Sequence, residues 1–187
     1  MKDIKKFIYQ IHAINVEKGF WDKERNPGEA TALMAGELSE CLEAHRGGHF
    51  SNYEEYEKTG DYEANIKNSF QEEPADAYIR ICDWLGGFYR SHSEDFNAYR
   101  ERAHMDLETL IGDVGNVGDW ISGLSFLLFN ARMMDKQGYP LLAIGYYFNV
   151  LDGIEWFCKH FEIDLEWHIE HKLEFNKTRE KLHGKKY

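Results

Sequence analysis

Two pairs of acidic side chains are the residues of this chain best placed to do chemistry. Glu37 and Glu40 lie three apart in GELSECLEAH, and Glu73 and Asp76 repeat that spacing in EEPADAYIRICDWL. Acids three apart on a helix are neighbours on one face. Hard divalent cations prefer clustered carboxylate oxygens, so two such pairs brought together would form a four-carboxylate cage for a metal ion. A third set lies near the end of the chain, in HIEHKLEFNKTREKLHGKKY, where Lys172, Asn176 and Arg179 form a row of donors. Such a row can grip phosphate oxygens, or it can be cations snorkelling at the edge of a core.

The elements that must position these groups are helices. Ile4, Phe7, Ile8, Ile11 and Ile14 recur at helical spacing and predict a first helix over about 2–19. Asn26-Pro27 suits an N-cap and first helical position, opening a second helix that runs to about His45 before Gly47-Gly48. With Leu33 at zero on its helical wheel, Glu37 falls near about +40° and Glu40 near about −20°, in the apolar stripe or on its edge. A buried acid needs a partner, either a cation in the site or a facing Arg or Lys. Residues 49–65 read as a polar loop with one short helix. A third helix starts near Ile66 or Glu72 and runs to Arg90, and Glu73, Asp76, Arg80 and Asp83 form a strip along it. That strip is either a narrow solvated face or the wall that meets Glu37 and Glu40. Further helices are expected over about 95–111, 117–134 and from Pro140 to about 160, with a last one starting after Asp164.

Composition narrows the classes. The chain has 187 residues, enough for one domain, and its 43% hydrophobic residues can build a core. Three prolines suit an all-α fold. The formal net charge of −11 argues against a nucleic-acid partner. Cys41, Cys82 and Cys158 have no CxxC spacing and read as reduced packing residues. Neither a signal-peptide pattern nor an 18-residue apolar run occurs, so a soluble cytoplasmic protein with no membrane partner is expected.

Taken in order, the blocks resemble the MazG-like all-α nucleotide pyrophosphohydrolases, the superfamily that includes dimeric dUTPases and phosphoribosyl-ATP pyrophosphatases. The marker there is E-x-x-E on one helix and E-x-x-D on the next, matched by Glu37-Leu38-Ser39-Glu40 and Glu73-Pro74-Ala75-Asp76. The flanks NVEKGFWDKERNPGEA and IDLEWHIEHKLEFNKTREKLHGKKY also look like the family, and the likeness covers about 14–46, 72–90 and 162–187. The resemblance implies an all-α, MazG-like helical bundle over 1–187. It implies Mg²⁺, or Mn²⁺, on Glu37, Glu40, Glu73 and Asp76, with Glu37 or Glu40 orienting the attacking water. It further implies phosphate contacts from Lys172 and Asn176 with Arg179, and a homo-oligomer, dimer or tetramer. The reaction would be hydrolysis of a nucleoside triphosphate, a deoxynucleotide or non-standard nucleotide, to the monophosphate and pyrophosphate. Phe20, Trp21 and Asn26 are the candidates for holding the base; the alternative is a helix-corner anchor.

Three features depart from the family pattern. Gly36 precedes Glu37, Pro74 sits inside the second motif, and the apolar helical stretch 91–157 separates the third helix from the last. Two rival classes compete. A carboxylate-bridged di-iron bundle wants two E-x-x-H motifs, and only Glu101-Arg102-Ala103-His104 fits. A non-catalytic helical interaction protein would pair Glu37 and Glu40 with basic residues and bind no metal. His168 and His171 read as surface histidines, and Lys177, Lys181, Lys185 and Lys186 as surface charges.

Overall fold

The computed structural model describes residues 3–102 and 105–184, and every regular element among them is helical. Helix α1 spans Ile4–Glu17 and α2 spans Pro27–Gly47. The start of α2 follows from local chemistry: Asn26 accepts from the Gly28 and Glu29 amides, and Pro27 supplies a preset φ. Its end follows from Gly48, whose φ of 69° closes the last turn. Residues 49–65 hold two short helices, α3 (Tyr53–Thr59) and α4 (Tyr62–Asn65), each capped at its N-terminus by the side chain of Asn52 or Asp61. Helix α5 spans Glu73–Phe88, with Pro74 in its first turn where no amide partner is lost.

The helix expected over 95–111 is broken. A 3₁₀ stretch (Arg90–Asp95), α6 (Phe96–Arg102) and α7 (Leu107–Ile111) replace it, and the Asp106 side chain caps α7 through the Thr109 amide. Asp106 competes for the backbone as Asp does at helix starts, so it begins a new helix instead of extending the old one. His104 of the E-x-x-H sequence lies outside the described residues, as do Lys185 and Lys186. Helices α8 (Val117–Lys136) and α9 (Pro140–His160) form a long antiparallel pair, and α10 covers Leu165–Thr178 behind an Asp164 cap.

Helix α5 is the hub. It packs on α1, α2, α9 and α10, while α8 lies along α2 and α9. Twelve of its sixteen residues are buried, so its polar strip faces neighbouring helices, with Glu73 and Asp83 buried and Asp76 and Arg80 partly exposed. One hydrophobic cluster joins α1 (Ile8, Ile11), α2 (Met34, Leu38), α5 (Tyr78, Ile81, Leu85), the α8–α9 pair (Trp120, Leu127, Phe148, Leu151) and α10 (Ile169). The stretch 91–157 therefore packs into this core and is not an appendage. Cys41, Cys82 and Cys158 are free and buried in it. Among the described residues no helix is long and apolar enough to cross a membrane.

Candidate functional site

Helices α2 and α5 bring three carboxylates together. Along α2 the buried residues Ala30, Met34, Glu37, Cys41 and Ala44 recur at helical spacing, so Glu37 sits in the line that faces the core. Glu73 and Asp76 lie one turn apart at the start of α5. One oxygen from each of Glu37, Glu73 and Asp76 lies within 4.8 Å of the other two. An octahedral Mg²⁺ with oxygens at about 2.1 Å sets neighbouring ligands about 3 Å apart and opposite ones about 4.2 Å apart, so the trio would draw inward around an ion. Glu40, beside the line on α2, is exposed at the rim, where it borders an open depression with Glu43, Ala44, His49, Asn68 and Glu73. It is near enough to act electrostatically on both Glu37 and Glu73 but is not in the trio.

The partners of the three acids differ. Arg80, two turns along α5 from Glu73, donates from Nε to Glu37 Oε1. Lys172 of α10 reaches Asp76 Oδ2 at 2.5 Å. Glu73 is 2% exposed, and among the described residues its Oε2 has no hydrogen-bond partner. Burial, then the charges of Asp76, Glu72, Glu37 and Glu40, push the Glu73 carboxyl up to about 9. Burial likewise raises Glu37, and Asp76 and Glu40 add to that rise while Arg80 opposes it. Around this point five carboxyl groups (Glu37, Glu40, Glu72, Glu73, Asp76) face two side-chain cations (Arg80, Lys172). Fully ionised, the cluster carries three uncompensated negative charges, and without a metal Glu73 holds a proton at neutral pH.

Glu72 belongs to this cluster and was not among the residues singled out by spacing. It is fully buried and saturated with donors: Lys172 Nζ and Tyr62 Oη reach Oε1, and the Asn68 amide donates to Oε2 at 2.9 Å. Asn68 has a φ of 61°, the left-handed conformation that Asn tolerates, in the turn that presents its amide to Glu72. The Glu72-Glu73 doublet before Pro74 was the available signal. Lys172 is itself buried. Burial pulls its ammonium down, but Asp76 and Glu72 together outweigh that and hold the proton more firmly than usual. Glu72 shares that one ammonium with Asp76, so burial and the Asp76 charge leave it raised.

Of the other phosphate candidates, Asn176 is buried one turn beyond Lys172 on α10, with Oδ1 unpartnered among the described residues. Arg179 caps the end of α10, its guanidinium 5.8 Å from the Phe175 ring centre. His168 is not at the surface. It is buried under α3, with Nε2 2.7 Å from Tyr53 Oη, and burial lowers it to about 4. The expected polar flank of α10 is covered because Tyr53 and Tyr56 of α3 pack on Trp167, His168 and His171.

The far end of the α5 strip forms a second buried polar knot. Asp83, 3% exposed, accepts from Trp21 Nε1 at 2.8 Å and Arg25 at 3.0 Å, and lies 2.9 Å from His12 Nδ1. Trp21 stacks near Trp84 and lies against Gly87, where a Cβ would come within 2.2 Å of the indole. These contacts make Trp21 an anchor between the α1–α2 corner and α5. Asn26 is exposed and spends its side-chain oxygen on capping α2. Phe20 is half-buried in the same corner. Of the base-binding set, two members thus have structural duties in the fold.

Compared with known proteins, the chain matches no family model, no curated protein and no solved structure.

Proposed function

We propose that this chain hydrolyses a nucleoside triphosphate to the monophosphate and pyrophosphate with Mg²⁺ or Mn²⁺, on a MazG-like core of α1, α2, α5 and α10 into which α6–α9 are inserted. The observation that carries the reading is Glu73: a carboxylate nine-tenths and more buried, one oxygen unpartnered, within reach of two further acids. Native structures rarely leave such an atom orphaned, and a divalent cation is the ligand that fits three convergent carboxylate oxygens. Glu37, Glu73 and Asp76 would hold the ion, which when bound lowers the pKa of water and neutralises phosphate charge. Glu40, at the rim, would orient a water and take its proton. That water attacks the α-phosphorus, the P–O bond to the bridging oxygen breaks, and pyrophosphate leaves. Lys172 of α10 already touches the cluster; with Asn176 it would contact the phosphates, and Phe20 would contact the base. The product pair suits removal of a deoxynucleotide or non-standard nucleotide from a pool.

A second reading, a non-catalytic helical protein, draws on the ion pairs that Glu37 and Asp76 already make. The buried Glu73 oxygen weighs against it, because a purely structural network would satisfy that atom. We also propose a homodimer. Phe126, Phe129 and Met133 form an exposed row on α8, with Tyr139, Leu141 and Leu142 exposed at the start of the next helix. Six half-exposed side chains at roughly 100 Å² each would bury about 1,200 Å² over two copies, above the about 1,000 Å² of a specific interface.

The deciding experiment is a panel of ribo- and deoxynucleoside triphosphates with Mg²⁺ or Mn²⁺, scored for monophosphate and pyrophosphate. Turnover of one or more, absent in Glu73→Gln and in chelator, is expected. Folded protein that binds the metal yet releases pyrophosphate from none of them refutes the proposal.

A further inference from the structure

Each cation in the cluster rests on a carboxylate of the trio, yet the two are not equivalent. Lys172 is locked: its side chain is 6% exposed and two carboxylates hold it. Among the described residues Arg80 is held by Glu37 alone, through Nε, and its side chain is 29% exposed. Solvent therefore reaches the Arg80 side chain, and its hydrogen bond to Glu37 runs through Nε and not through the terminal nitrogens. Arg25, pinned to Asp83, is close enough for the two guanidiniums to repel each other. The Glu37–Arg80 pair is thus bonded on one side and pressed by like charge on the other.

Resting on the metal-site reading above, we infer that Arg80 is a stored counter-ion: it occupies Glu37 until a divalent cation takes that carboxylate, and the released guanidinium then grips a pyrophosphate or triphosphate group. Arginine suits this exchange. Its planar fork matches phosphate oxygens as well as carboxylate oxygens, so one side chain can serve either anion in turn. The device makes polyphosphate binding conditional on metal. Before the ion arrives the guanidinium is engaged and the site is net negative, which repels phosphate. Afterwards one cation has been added and another freed. Linkage requires the reverse as well: polyphosphate must tighten the metal.

The test uses the full chain with Mn²⁺, Mg²⁺ and inorganic pyrophosphate, and no turnover is needed. Arg80 competes with the ion for Glu37, so Arg80→Gln should bind Mn²⁺ about tenfold more tightly than wild type. With saturating Mg²⁺ it should retain pyrophosphate about tenfold less well, while metal-free wild type retains none. Arg80→Lys keeps the charge without the fork and should bind Mn²⁺ like wild type but pyrophosphate less well. In wild type the Arg80 Nε–H resonance should be protected from exchange without metal and lose that protection on adding Mg²⁺; this readout stands alone if Arg80→Gln does not fold. Equal or weaker Mn²⁺ binding by a folded Arg80→Gln overturns the inference, as does an Nε–H that stays protected with Mg²⁺ bound. Either result leaves the hydrolase proposal standing, whereas wild type that binds no Mn²⁺ at all removes both.

Discussion

Glu73→Gln keeps the shape of the side chain and removes its ability to ionise, so the two proteins differ only where Glu73 is asked to give up its proton. In the folded, metal-free chain that carboxyl is held up to about 9, against an ordinary 4.5. A raised acid binds its proton more tightly when folded. Its contribution is therefore fully present below about 4.5 and is lost as pH rises towards 9. Each tenfold fall in proton concentration within that window costs about 1.4 kcal/mol, which amounts to about 3 kcal/mol at pH 7 and about 5 kcal/mol at pH 8 as upper values. Chemical denaturation in chelator from pH 5 to pH 8 would read this directly. Glu73→Gln should match wild type near pH 5 and exceed it by several kcal/mol at pH 8. Comparing the pair cancels the titration of every group that does not interact with Glu73. Mg²⁺ at a hundred times its dissociation constant should restore about 2.7 kcal/mol to wild type at pH 8 and nothing to the variant. A difference between the two proteins that stays within about 1 kcal/mol across the window would refute the claim that Glu73 is a buried, unpartnered acid awaiting a cation.

Glu40→Gln separates rim from trio: pyrophosphate release should fall by about 10²–10⁴ while Mn²⁺ affinity, read by titration, changes little. An equal loss of metal affinity would instead place Glu40 among the ligands. Asp83→Asn leaves Arg25 facing a neutral amide in a buried knot and should cost about 3–5 kcal/mol in thermal or denaturant unfolding, with Trp21 fluorescence shifting as its anchor weakens. Asn26→Ala should cost about 1 kcal/mol by loss of the α2 cap. If its only effect is on stability, with the Michaelis constant for the triphosphate unmoved, Asn26 is a cap and not a base contact.

Much of the helical framework was legible because its signals are local. Asn26-Pro27 and Asp164 mark helix starts through side-chain oxygens that reach amides two or three residues on, and Gly48 marks an end through a φ that other residues resist. The 3.6-residue period also placed Glu73, Asp76, Arg80 and Asp83 on one line of α5. Where local signals competed, as at Asp106 within an otherwise helical run, the reading failed. It failed too at His168, because nothing in α10 announces that α3 will cover it.

The depth of each side chain and the identity of its partner were decided only by packing. Spacing makes Glu37 and Glu40 neighbours on a helix, but the rotation of α2 against α5 and α8 sends one inward to Arg80 and leaves the other at the rim. Lys172 meets Glu72 and Asp76 across about a hundred residues of chain because α10 docks on α5, and Trp21 reaches Asp83 because Gly87 leaves room for an indole. Periodicity is a property of one helix and is set by bonds four residues apart. Which faces meet, and how closely, depends on the volumes of many side chains from distant segments solved together, and that sum is not written in any local stretch of sequence.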